Sequence, residues 1–223
     1  MAGRCRAAGL DLVWPFELRR VNVGLAPDER IAPVRDQGDL GLLIASTRYF
    51  WLRFGAALAT DPERARRAHP VDEHTTEAVR GALAPLEAGW AVRFAHEMPA
   101  LPIQRIAELA GFARLSPARL SVHPVYGPWI ALRGVAIVGV AGPADDPLPA
   151  PDPCPGCPGG CDAAFARALA ASRPESAAIA RDWSDWLAVR DACPVGRPHR
   201  YSEDQIRYGY TKDRAILEDL ARG

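Results

Sequence analysis

The chain has 223 residues, 48% apolar and 24% charged, and its 27 basic and 27 acidic side chains cancel. That length buries a core without disulfide or metal staples, and the balanced charge gives no net field toward nucleic acid or an anionic membrane. No apolar run approaches the roughly 18 residues of a membrane span. The opening residues carry Arg4 and Arg6 with no apolar stretch after them, unlike a secretory signal. A cytoplasmic chain is expected, in which five cysteines favour free thiols, metal or redox chemistry over structural disulfides.

In chain order, residues 9–16 read as a short strand entering a Trp-Pro turn, and 40–45 as a buried strand because the run is short and continuously apolar. Residues 48–60 carry Phe50, Phe54 and Leu58 at helical spacing and stop before Asp61-Pro62. A second helix is expected over 71–86, with Asp72 and Glu73 in the first turn, where the dipole favours acids. Residues 90–95 alternate as a strand, and 103–110 form a short helix stopped by Gly111. Residues 119–123 and 129–138 read as two strands of a β-hairpin joined through Pro124–Pro128, the second apolar enough to be buried on both faces. Residues 139–160 are too rich in Pro and Gly for a regular element, and they carry Asp145 and Asp146. Helices are expected over 162–171 and 175–192, and Ser202 with Gln205 forms a capping box. Strands and helices mix without a βαβ rhythm, so the fold class is α+β. There is no internal repeat, and no G-x-G-x-x-G, P-loop or G-x-S-x-G motif.

Three blocks resemble one family. His123-Pro124-Val125-Tyr126-Gly127-Pro128-Trp129, continuing to Arg133-Gly134, is similar to a hairpin of the CblC (MMACHC) family. Asp182-Trp183, Asp185-Trp186, Arg190-Asp191-Ala192 and Arg200-Tyr201-Ser202-Glu203-Asp204-Gln205 form a second matching block. Leu42–Thr47 with Pro70-Val71-Asp72 is a weaker third. The blocks keep the family's order and span most of the chain.

The resemblance implies a nitroreductase-like α+β fold, with a mixed sheet, flanking helices and a cobalamin-binding cap. It divides the chain into residues 1–140, which hold the cobalamin-binding hairpin, a Pro/Gly/Cys-rich linker over 141–160, and a helical part of the same domain over 161–223. Family members bind cobalamin with its lower base displaced, and remove the upper axial ligand by thiol-dependent dealkylation or reductive decyanation. Cobalamin contacts are then expected from Tyr126, Gly127, Pro128 and Trp129. Gly127 admits close backbone approach, Pro128 stiffens the turn, and Trp129 offers an apolar face. The family's glutathione-binding arginines map onto Arg133, Arg190 and, across a short gap, Arg214. A guanidinium clamps a carboxylate bidentately, and Arg133 interrupts an apolar strand, where an unpaired charge is costly. An ion pair of Arg133 with Asp191 or another acid is the structural alternative. His123, at the start of a turn, is expected to shape the hairpin rather than ligate cobalt. Catalytic residues are unassigned, and FMN use stays open because no flavin motif is present.

Cys154-x-x-Cys157-x-x-x-Cys161 in the linker, followed by Cys193-Pro194, departs from the family. Three close thiols and a Cys-Pro resemble part of a ferredoxin motif, although its usual first spacings are x2. The set leaves open a 4Fe–4S cluster, a structural zinc, redox thiols or no metal; Cys5 is incidental. The same cysteines bring in a more distant resemblance, to the cobalamin domain of the epoxyqueuosine reductases, which carry iron–sulfur clusters. Three functions follow: a cobalamin dealkylase or decyanase using glutathione or another thiol, an iron–sulfur cobalamin-dependent reductase, and a non-catalytic carrier. An electron donor or a cobalamin-accepting protein is the expected partner. Thiol-dependent turnover separates the first function from the third, and iron and sulfide analysis singles out the second.

Overall fold

The computed structural model describes residues 1–35, 39–144, 149–172 and 175–222. Asp145 and Asp146 lie outside the described residues. Helix α1 (Ala2–Ala7) leads into β1 (Leu12–Glu17) and α2 (Leu18–Val23). Then come β2 (Leu40–Ser46), α3 (Tyr49–Thr60), α4 (Pro70–Leu83), β3 (Trp90–Phe94) and α5 (Ile103–Leu109). The short strands β4 (Arg114–Leu115) and β5 (Ser121–Val122) precede the long β6 (Ala131–Val138). Five helices follow: α6 (Cys161–Ala171), α7 (Ser176–Arg181), α8 (Trp183–Asp191), α9 (Glu203–Thr211) and α10 (Arg214–Arg222). No helix among the described residues is long and apolar enough to cross a membrane.

The main sheet has the order β1-β2-β6-β3. Each of its pairings runs antiparallel, so the expected mixed sheet is replaced by an antiparallel one. Strand β6 is buried on both faces, which is why its sequence is nearly all apolar. Ala136 and Val138 join Ile44, Phe54, Val79 and Leu83 on one side. Val135 and Ile137 join Phe16, Leu43 and Ile106 on the other. The Trp14-Pro15 pair lies within β1 and is no turn. Strand β1 pairs only with β2, and a proline, which has no N–H, is tolerated on such an edge.

The hairpin expected over 119–138 does not form. Strand β5 pairs with β4, not with β6. Both edges of β6 are taken by β2 and β3, so the preceding strand has no place beside it. What survives is a tight turn closed by a bridge between His123 and Gly127. The helix expected over 175–192 breaks at Asp182, and the one over 71–86 ends at Leu83. The described residues of the 139–160 stretch form no helix or strand.

His123 builds its own turn. The Val125 and Tyr126 N–H groups donate to its Nδ1 at 3.1 and 3.3 Å. Gly127 N–H donates to the His123 carbonyl at 2.8 Å. Burial, reinforced by His199, pushes the imidazole pKa down from 6.5 to about 4. A proton on Nδ1 would also remove the acceptor that both amides use. The folded chain therefore binds this proton less readily than the unfolded chain. The stabilisation is complete above pH 6.5 and is lost as pH falls toward about 4. His74, whose pKa is also lowered by burial, acts with the same sign. Urea denaturation at pH 7 and pH 5 should show lower stability at pH 5. His123→Gln should reduce that difference while leaving part of it to His74; an unchanged difference would free the turn from this proton.

Candidate functional site

Strand β6 and helices α8 and α9 enclose a cavity of about 370 Å3. Phe50, Trp51, Tyr201 and Tyr208 supply aromatic walls, and Arg133, Arg190 and Lys212 supply positive charge. Arg133 projects from β6. Its Nε–H donates to Ser46 Oγ at 3.2 Å, and its guanidinium lies 4.5 Å from the Phe50 ring centre. Arg190, in the last turn of α8, sits 5.6 Å from the Trp129 ring and 5.7 Å from the Tyr201 ring. Lys212 occupies the left-handed C-cap of α9, at φ 57°.

The carboxylate alternative for Arg133 fails because another residue takes the acid. Arg200 grips Asp191 with two nitrogens, at 2.8 and 3.2 Å, and also pairs with Glu203. This ties the end of α8 to the start of α9. Among the described residues no carboxylate forms an ion pair with Arg133, Arg190 or Lys212. Burial pushes the Arg133 pKa down, opposed by Tyr201 and Asp72. Burial likewise pushes the Tyr201 hydroxyl up to about 12, against the pull of Arg190 and Arg133. Desolvation lowers the Lys212 pKa, with Asp72 opposing and Arg133 adding to it. The cavity is thus a cationic, aromatic-walled recess that suits an anion. Gln205 adds a buried Oε1 that has no hydrogen-bond partner.

Sequence reasoning assigned Gln205 to the cap alone. Its backbone N–H does donate to Ser202 Oγ at 3.3 Å, but its side chain lines the cavity. Lys212 went unnoticed, although a signal existed: it is the one lysine among 27 basic residues. Arg214 is elsewhere, on the exposed surface, where it donates to the Arg66 carbonyl at 3.1 Å.

A second, largely apolar groove of about 780 Å3 runs along α3 past His199. It shares Trp51, Tyr201 and Gln205 with the cation cavity. Tyr126 reaches toward this groove. Its ring is half-buried between His123 and His199, at 4.9 and 4.8 Å. Trp129 is 1% exposed and packs with Leu187, Tyr201 and Ile206, so its apolar face is turned into the helical layer. Gly127 and Pro128 are buried as well. The sequence-identified cysteines Cys154, Cys157, Cys161 and Cys193 line a separate cavity.

An unpaired, desolvated guanidinium is a cost to the fold, and replacing buried charge by a packed apolar side chain is often neutral or stabilising. Arg133→Met should therefore melt at or above the wild-type temperature in buffer without multivalent anions. Citrate should raise the wild-type midpoint more than the variant's, because only the native cavity binds it. A clear loss of stability in Arg133→Met would instead make the arginine a structural tie.

No family model matches this chain, and no curated protein does. A solved structure does match: the C. elegans B12-trafficking protein CblC, a homologue of human MMACHC, superposes with a TM-score of 0.67. The alignment covers 95% of this chain and 90% of that one, at 18% identity. The superposition spans nearly the whole of both chains, and this protein has the CblC fold.

Proposed function

We propose that this chain binds cobalamin in the apolar groove beside the cation cavity and removes its upper axial ligand with a thiol cosubstrate held by Arg133 and Arg190. The observation that carries this reading is the pair of guanidinium groups without carboxylate partners among the described residues, in a cavity that opens beside a much larger apolar groove. The shared fold with a B12-trafficking protein supports the choice of ligand. A corrin is broad and apolar over most of its area, which suits the larger groove. Glutathione carries two carboxylates and several N–H donors. Arg133 and Arg190 would take the carboxylates, with Lys212 as a third cation, and the unpaired Gln205 Oε1 would accept an N–H. The turn of Tyr126, Gly127, Pro128 and Trp129 serves as the wall that positions His199 and the guanidinium groups.

In dealkylation the thiolate sulfur forms a bond to the departing alkyl carbon. The cobalt–carbon bond breaks, and its electron pair stays on cobalt. The cations around the cavity stabilise the thiolate form and hold its sulfur in line, which is catalysis by positioning. Decyanation would need electrons from outside this machinery, from a flavin such as FMN or a protein donor. A carrier with the same groove would bind cobalamin and show no thiol-dependent turnover.

Titration with protein should move the cobalamin absorption bands to the base-off form; an unchanged spectrum at excess protein refutes the ligand. Arg133→Met and Arg190→Met should each raise the thiol concentration for half-maximal dealkylation by about 10- to 100-fold, the loss of one charge-assisted hydrogen-bonded contact. Cobalamin affinity should change by less than about threefold, since it rests on apolar burial. If both variants remain folded and lose cobalamin instead, the arginines serve the corrin.

A further inference from the structure

The tertiary structure collects four of the five cysteines. Cys154 and Cys157 come from the loop before α6, Cys161 starts α6, and Cys193 follows α8. All four line one cavity of about 110 Å3, and all are free thiols. Cys5 is apart from them, on α1 and fully buried in the main core. Helices α6 and α8 pack through Ala164, Ala168 and Val189, and these small contacts bring the end of α8 back to the start of α6.

The loop is shaped for close wrapping. Cys157 N–H donates to the Cys154 carbonyl at 3.0 Å, closing a turn that contains Gly156 at φ +70°. A Cβ on Gly159 would sit 2.8 Å from the Ala192 carbonyl oxygen and from Pro194 Cδ, so only glycine passes there. Gly159 N–H donates to Cys157 Sγ at 3.4 Å. Such backbone donors compensate the negative charge of a sulfur ligand.

We propose that Cys154, Cys157, Cys161 and Cys193 ligate a 4Fe–4S cluster, independently of what occupies the cation cavity. A single zinc needs its sulfurs about 2.3 Å from one point. Among the described residues no three His, Cys, Asp or Glu side chains already stand close enough to hold a metal ion, so loading the site with either metal draws the four thiols inward. The cavity that the four thiols line together with Leu120, Val122 and Val195 has room for more than one ion, and four cysteine ligands match the donor set of a polynuclear iron–sulfur core. The three spaced thiols and the proline after the fourth agree with thiolate ligation of iron.

The cluster would abut the His123–Gly127 turn. Val195 and Gly196, directly after Cys193-Pro194, cross that turn so closely that a Cβ on Gly127 would lie 1.9 Å from the Val195 carbonyl oxygen. Loading the site should then stiffen the turn as well as the loop.

The test is anaerobic purification and reconstitution of the full chain with ferrous iron and sulfide, followed by iron, sulfide and zinc analysis and electron paramagnetic resonance of the reduced protein. About four iron and four sulfide per chain are expected, with slower amide exchange over 123–128 and 154–161. Cys157→Ala and Cys193→Ala should lose most of the iron, and Cys5→Ala should keep it; far-UV circular dichroism checks that each variant is folded. Stoichiometric zinc without sulfide, a wild-type protein that stays metal-free after reconstitution, or folded Cys157→Ala and Cys193→Ala variants with full iron content would each overturn the proposal. Base-off cobalamin binding is scored separately, so failure of one reading does not mask failure of the other.

Discussion

Two loops cross with almost no space between them, and much of the architecture depends on that crossing. Gly127 and Gly196 both adopt positive φ, 57° and 71°. A Cβ on Gly196 would fall 2.2 Å from the Tyr126 carbonyl atoms, and one on Gly127 would strike Val195. Any other residue at either point would push the loops apart. Because they touch, the C-terminal helices return to the turn before β6. That return lets Trp129 pack under Tyr201 and sets Tyr126 against His199. The cysteine cavity reaches this junction at Val195.

Charge is distributed around the junction by competition for a few acids. Arg200 takes both Asp191 and Glu203, an arrangement that joins α8 to α9 and holds a guanidinium 5.6 Å from the Trp129 ring. Arg190 faces the same indole from the last turn of α8, but its neighbouring acid is already engaged. Arg133 has an aromatic ring and one hydroxyl where a carboxylate would otherwise sit. Exposed pairs contribute little to stability, so the Arg200 network matters chiefly for position. Arg133, without a carboxylate partner among the described residues, carries a desolvation cost that a bound anion would offset, which links the site's chemistry to the fold's energetics.

The likeness to a B12-trafficking CblC lies in the fold, at an identity too low for residue roles to transfer by alignment alone. The residues make the narrower case. The cavity combines aromatic walls, three cations and an unpaired amide oxygen next to a wide apolar groove. That combination is what supports the proposed placing of a carboxylate-bearing cosubstrate beside a large flat ligand. The cysteine cavity is a separate feature, joined to the cation cavity through α8, which carries Arg190 and leads to Cys193.

Local chemistry was enough to read several elements directly. Strands β2 and β6 announce themselves as apolar runs, Ser202 caps α9 through its own hydroxyl, and the stop of α3 before Asp61-Pro62 is written in the residues. The histidine that shapes the 123–127 turn also acts over a span of a few residues, so its role was legible. The resemblance to CblC held at the level of fold, although the hairpin read into its first block does not form. Pairings between distant segments were not legible. The partner of β5 is β4 because β6 is already flanked, and nothing within 119–138 records that. Asp191 belongs to Arg200 rather than to Arg133 because the loop after α8 turns back, and Lys212 joins the cavity only where the end of α9 comes round to β6. Cys-x-x-Cys spacing marks two thiols as neighbours, yet only the packing of α6 on α8 brings Cys193 to them. Sequence by itself determined what neighbours along the chain do to one another. Tertiary structure decided which charges stay unpaired and which thiols meet, because both depend on surfaces brought together across long stretches of chain.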